Sequence, residues 1–272
     1  MSSRLSISSW SLHRALGSIF HKLDDRQSEA GDISLLDLPY RIAEKGIKTL
    51  EICHFHFPRI DDDYIDQLRA ALDQAGVELY SILIDDWDIT HPDDDQRLKE
   101  LENIENWIDI ASKCGASCVR VIAGMTDIGL EDPVHHPVTR QSAQNLDRLS
   151  IYAHHKSVCV ITENFHKLTK RADTVLAILD QCQENIGLCV DFGNFRGDEK
   201  YEELAAILPH ATSVHAKANY PEVGQMERID FDQCLELTRK SNFFGPYSLI
   251  FDSAGSEWDS LAEIQSVVEK YI

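Results

Sequence analysis

VCVITENF (residues 158–165) is a short run of apolar and β-branched residues that closes on an acidic side chain, Glu163. Three runs of similar build follow: IGLCVDFGN (186–194) closing on Asp191, TSVHAK (212–217) closing on His215, and YSLIFDS (247–253) closing on Asp252. The gaps are 28 (191−163), 24 (215−191) and 37 (252−215) residues, each about one strand-helix-strand unit. In a parallel barrel the carboxyl ends of all strands open onto one face, where active sites are built. The pattern therefore predicts three carboxylates and one imidazole meeting at that face, a donor set for one divalent cation.

Working outward, strands and amphipathic helices alternate along the whole chain, the signature of a parallel sheet. Upstream strands are expected at LSISSW (5–10), KTLEIC (48–53), ELYSILI (78–84) and CVRVIAG (118–124). Helices are expected over about 34–45, 61–74, 94–113, 138–155, 168–182, 200–208, 230–241 and 257–271. Eight strands and eight helices predict a single-domain (β/α)8 TIM barrel spanning residues 1–272. Gly46, Gly76 and Gly115 stand where left-handed helix C-caps are wanted, and Asp61 and Asp93 open acidic runs suited to helix N-termini. Residues 11–33 read as one long irregular stretch on the active face, a lid or substrate wall.

Composition narrows the partners. A formal net charge of −20 over 272 residues, with no basic tract, repels phosphate backbones and anionic lipid, so neither nucleic acid nor membrane is an expected partner. No apolar run reaches membrane-spanning length, and the opening MSSRLSISSW lacks a secretory layout. Seven cysteines without a CxxC pair read as buried small hydrophobes in a reducing cytoplasm. Homo-oligomerisation is left open by the sequence.

Three oxygen donors with one nitrogen suit Mn²⁺ or Mg²⁺, with Co²⁺ and Zn²⁺ as alternatives; zinc more often comes with further His or Cys. Such an ion polarises a carbonyl and holds a neighbouring hydroxyl, which stabilises an enediolate. Glu163 and Asp252, on different sides of the ion, are then candidates for base and acid in turn. Taken singly, each ligand has a bland reading as a helix cap or a satisfied core polar residue; four at corresponding strand ends favour the metal site.

The segments SISSWS, LEI near residue 50, VRV at 119–121, TEN at 162–164, VDFGN at 190–194, VHAK at 214–217 and the closing IFDSAG resemble the xylose isomerase-like superfamily of sugar isomerases and epimerases. The resemblance covers most of the chain. It implies metal ligation by Glu163, Asp191, His215 and Asp252, and proton transfer on a small sugar or other hydroxycarbonyl compound. Relatives usually carry Glu where Asp252 stands, a His where Asn194 stands, and a His directly after Glu-Asn, where Phe165 precedes His166 here. Asn194 and His166 are carried as substrate-binding candidates.

Further candidates come from position. His54 and His56 in CHFHF would share a face if the strand continued, and would bind substrate hydroxyls. Lys217 shares the inward face of His215 and is a candidate to bind a substrate oxygen or stabilise an enolate. Arg120 would hold an anionic substrate group or form a buried ion pair. Trp10, with Phe20 and Trp87, would wall a sugar ring. Asp85, Asp86 and Asp88 read as solvated loop carboxylates, and His135-His136 as a turn. The leading reading is a metal-dependent isomerase or epimerase. A dehydratase of the 3-dehydroshikimate type shares every residue named. An endonuclease IV-like phosphodiesterase lacks its further histidines here, and a non-catalytic sugar-binding barrel would leave the acidic set without a purpose.

Overall fold

Apolar and small side chains alternate along eight segments, which gives each strand one face for helices and another for a narrow lumen. The computed structural model describes residues 3–22, 25–28 and 31–272. In chain order the strands are β1 (Arg4–Ser8), β2 (Ser18–Lys22), β3 (Asp25–Ser28), β4 (Thr49–Cys53), β5 (Glu78–Leu83), β6 (Cys118–Arg120), β7 (Cys159–Glu163), β8 (Gly187–Asp191), β9 (Ala211–Lys217) and β10 (Pro246–Ile250). All but β2 and β3 close a parallel barrel in the order β1-β10-β9-β8-β7-β6-β5-β4. Helices α1 (Leu38–Glu44), α2 (Asp62–Ala75), α3 (Asp94–Cys114), α4 (Pro137–His154), α5 (Ala172–Gln181), α6 (Lys200–Ile207), α7 (Arg228–Lys240) and α8 (Glu257–Val268) ring it. The (β/α)8 TIM barrel read from the sequence is the observed fold. None of the described helices is long and apolar enough to cross a membrane.

The main core lies between barrel and helices. Ile7, Leu50, Val119, Val160, Val190, Val214 and Leu249 meet helix residues such as Leu68, Ile104, Leu146, Ile178, Leu235 and Ile264 in one buried cluster. Tyr80, Cys118, Ile161 and Cys189 form a separate cluster, filling the middle of the lumen. Below them, at the amino ends of the strands, Arg4 on β1 binds Glu78 on β5 through Nη2 at 2.9 Å and reaches Thr49 on β4 through Nε at 3.1 Å. The barrel is thus plugged at its base.

Helix ends follow local chemistry. Asp61 and Asp93 accept from the amides of Tyr64 and Gln96, while Gly76 and Gly115 take the left-handed conformation after α2 and α3. Helix α1 is shorter than expected because Ser34 and Asp37 fold into a hydrogen-bonded turn before Pro39 admits the helix.

Three expectations need correction. The stretch 11–33 is not wholly irregular: a 3-10 turn (Ser9–Leu12) opens it, and β2 and β3 pair antiparallel within it. Phe20, expected in an aromatic wall, lies outside the described side chains. Strand β10 ends at Ile250, so Asp252 stands two residues beyond pairing rather than at its last position. The β4 strand ends at Cys53 and His54–His56 forms a 3-10 turn, so the two histidines do not share a face. At about three residues per turn, side chains two apart diverge.

Candidate metal centre

Strand register brings the central residues together. Asp191 on β8 is the pairing partner of His215 on β9, and Glu163 on β7 pairs with Cys189 on β8. All point into the upper lumen, where Glu163 is 3% exposed and Asp191 and His215 are 4% exposed. His215 Nδ1 lies 3.4 Å from Glu163 Oε1 and 3.6 Å from Asp191 Oδ2. On the far edge of the ring, Nε2 is 3.0 Å from Glu51 Oε2. Glu51 is a site residue that the sequence reading passed over. Its signal was present: an acidic residue in the middle of the otherwise buried strand TLEIC must either face the lumen or be unpaired.

These groups perturb one another. Burial alone would push the His215 imidazole down, but Cys189, Glu163, Glu51 and the bond with Asp191 hold its pKa well above the usual value. Asp191 is likewise opposed by burial, yet the bond to His215, the charge of Lys217 and the Gly193 amide (2.6 Å) hold its carboxyl below the usual range. Asn164 clamps the end of β8 by donating to the Asp191 carbonyl at 3.0 Å and accepting from its amide at 2.8 Å.

Glu163 has further partners of its own. Asn194 Nδ2 donates to its Oε1 at 3.2 Å, and Arg120 Nε sits 3.1 Å from Oε2. That second pair is close enough to attract but is not aligned as a hydrogen bond, and both atoms lack such a partner among the described residues. Arg120 also binds Asp85 and stacks over the Phe165 ring, its centre 5.0 Å from the ring centroid. Burial opposes the guanidinium charge, and Asp85 and Glu163 more than restore it. Arg120 is thereby held as a buried ion-pair member beside the site, with Asp85 a partner rather than a solvated loop carboxylate.

Asp252 sits apart. It accepts from Lys217 Nζ at 2.8 Å, and it is not among the ion-pair partners of His215. Burial disfavours the Lys217 ammonium, but Asp191 and Asp252 raise its pKa above the ordinary value. The lysine stem runs over Gly193, where an added Cβ would fall 2.7 Å from Lys217 Cδ and would force the lysine stem to shift. Lys217 and Asp252 form part of the wall of a cavity of about 390 Å³ between the loops after β8, β9 and β10.

The remaining candidates ring the mouth. His54 Nε2 pairs with Asp86 at 3.0 Å and its Nδ1 accepts from the Asp85 amide at 3.3 Å. His56 Nδ1 contacts Ser9 Oγ at 2.8 Å, and the same oxygen accepts from the Cys53 amide. Trp10 stacks on His13 at 5.0 Å and meets Phe55 edge-on, while Trp87, at φ 71°, leans on His54. His166 is also left-handed (φ 68°) and packs on Phe165; burial and Arg120 lower its pKa. His136 caps α4, and His135 pairs with Asp132 on the surface.

The donor set fits a divalent cation. Two carboxylates and one imidazole nitrogen converge, and Glu163 Oε2 is buried without a hydrogen-bond partner among the described residues. Among the described residues, the set whose donor atoms all lie within 4.8 Å of one another is Glu163, Cys189 and His215; Asp191 approaches His215 but does not belong to that set. Burial pushes the Cys189 thiol up to about 11, and ligation of a cation there would require its thiolate.

The family model of the xylose isomerase-like TIM barrel matches residues 39–264. No curated protein sequence matches the chain. Similar solved structures include the 3-keto-D-glucoside 4-epimerase YcjR from E. coli, with 16% identity, 99% of each chain covered and a TM-score of 0.68. A xylose isomerase-like TIM barrel protein from Mycobacterium smegmatis in complex with magnesium shows 17% identity, covering 99% of this chain and 98% of that one, with a TM-score of 0.69. The probable 3-DHS dehydratase AsbF from Bacillus anthracis shows 16% identity over 98% of each chain, with a TM-score of 0.67. At these identities the likeness is one of fold.

Proposed function

This chain belongs to the xylose isomerase-like TIM barrel family, and from that premise we propose that it is a divalent-cation-dependent isomerase or epimerase of a small sugar or related hydroxycarbonyl compound. The observation that carries the reading is the meeting of Glu163, Asp191 and His215 in the buried mouth of the barrel, beside a cavity walled by Lys217 and Asp252. Neighbours of the fold include a keto-glucoside epimerase, an L-ribulose 3-epimerase and a probable dehydratase, which supports an enzyme of this broad kind.

Glu163, Asp191 and His215 would hold the cation, with Mn²⁺ or Mg²⁺ favoured; the nearby Cys189 sulfur gives Co²⁺ or Zn²⁺ more weight than an all-oxygen set would. When bound, the ion supplies Lewis acidity toward a carbonyl and its neighbouring hydroxyl. The chain's own residues then move the proton. Asp252 faces the cavity beside Lys217 and would take the proton from the carbon beside the carbonyl; its acid form would return it to the neighbouring position. Lys217 offers a fixed positive charge to the oxygen that gains electron density during that transfer. His54, His56, Trp10, His166 and Asn194 border the mouth, and we assign them to substrate contact, Asn194 also steadying Glu163. The unpaired cysteines support a reducing, cytoplasmic compartment.

Incubation of the Mn²⁺-loaded protein with a panel of ketoses in D₂O tests the reading. Deuterium in recovered sugar is the expected result. Loss of water with growth of an enone absorbance would assign the dehydratase reaction instead, and metal-free protein after Mn²⁺ dialysis would refute the reading.

A further inference from the structure

We propose that Glu51 is a positioning residue for the cation: its carboxylate fixes the ring of His215 so that Nδ1 is presented to the space shared with Glu163 and Asp191. The inference rests on the metal reading above.

Glu51 is at the centre of β4, in a strand buried along its whole length, and has no exposure to solvent. Its partner is not a neighbour. In the barrel order β1 and β10 lie between β4 and β9, so the 3.0 Å contact with His215 Nε2 spans the lumen. Ser6, Ser8 and Ser248 are buried on those two intervening strands, where larger side chains would occupy the path. Glu51 Oε1 has no hydrogen-bond partner among the described residues. A buried carboxylate with one satisfied oxygen is costly, and a buried polar group in that state calls for a reason.

The reason is in the chemistry of the ring. A carboxylate oxygen accepts, so Nε2, 3.0 Å from Glu51 Oε2, is the nitrogen placed to donate in the neutral ring. The other nitrogen, Nδ1, is then the one free to give its lone pair to a metal. Carboxylate-to-histidine contacts of this kind orient the ring and raise its basicity, and their loss typically weakens metal binding by about 10–100-fold. Glu51 is on the far edge of the ring from Glu163 and Asp191, so it acts through His215 rather than as a further ligand.

Titration calorimetry of the full-length, metal-stripped protein with MnCl₂ tests this. Wild type is expected to bind one Mn²⁺, and Glu51→Gln to bind it about 10–100-fold more weakly, with an unchanged circular dichroism spectrum. A second readout separates positioning from mere packing. In ¹⁵N-histidine-labelled metal-free protein, at a pH where the ring is neutral, His215 should carry its proton on Nε2; Glu51→Gln should give a mixture of tautomers. His215→Gln identifies the signal. Should Glu51→Gln fail to fold, Glu51→Asp keeps the charge but stops one methylene short of the ring, and is expected to show the same direction of change. Wild type without Mn²⁺ binding would overturn the metal reading itself. Wild type that binds while a folded Glu51 variant binds within twofold would overturn this inference alone.

Discussion

The two ends of the barrel handle charge in opposite ways. At the base, Arg4 and Glu78 make three hydrogen bonds with each other and are 28% and 40% exposed at the side chain, so water and geometry both satisfy them. At the mouth, Arg120, Glu163, Glu51, Asp191 and His215 are almost wholly buried, and Glu51 and Glu163 each keep an oxygen without a hydrogen bond. The same strands supply both ends. The difference teaches that the base uses charge to close the cylinder, while the mouth holds charge in a state that stability alone does not favour. Buried groups left poised in this way are what a cation or substrate can complete.

Several substitutions break or sharpen this contrast, and the largest effect belongs to the mouth. Glu163→Gln is expected to abolish Mn²⁺ retention and lower deuterium exchange into ketose by a factor of at least about 10³; metal analysis and mass spectrometry check both. Arg120→Met leaves the buried Glu163 and the part-buried Asp85 without their cation. It should destabilise the metal-free protein by roughly 3–5 kcal/mol in urea unfolding, far more than any single change at the base.

Asp252→Asn sharpens the comparison inside the mouth. It should lower kcat by about 10²-fold while Mn²⁺ stays bound. Metal loss in that variant would instead make Asp252 a ligand, as the sequence spacing suggested. The smallest effect is expected at the base: Arg4→Met should change stability by about 1 kcal/mol or less, and added salt should shrink the difference further. A loss at the base as large as that of Arg120→Met would erase the distinction between the two ends.

Much of the site was legible because strand ends are fixed points in a parallel barrel. Glu163 and Asp191 are the last residues of β7 and β8, as expected, whereas β9 runs on to Lys217, two residues past His215. Asp252 was harder. Periodicity does not mark where pairing stops, and β10 releases the chain at Ile250, leaving Asp252 within reach of Lys217. The shared face expected of His54 and His56 was lost for a related reason: the 3-10 turn they form leaves no signature in the alternation. Cys189 was read as a small hydrophobe, which its burial supports, yet its sulfur lies close to Glu163 and His215. Glu51 was visible as an acid in an apolar run, but no local spacing links it to a histidine 164 residues away.

The sequence by itself determined the architecture, because alternating strand and helix periodicities with capped ends admit few arrangements other than a closed parallel barrel. It also placed Glu163 and Asp191 at the ends of their strands. Tertiary structure decided the pairings across the lumen: His215 with Glu51, Lys217 with Asp252, and Arg120 between Asp85 and Glu163. Local pattern fixes which face a side chain takes, whereas barrel closure and strand stagger fix what it meets on the opposite wall.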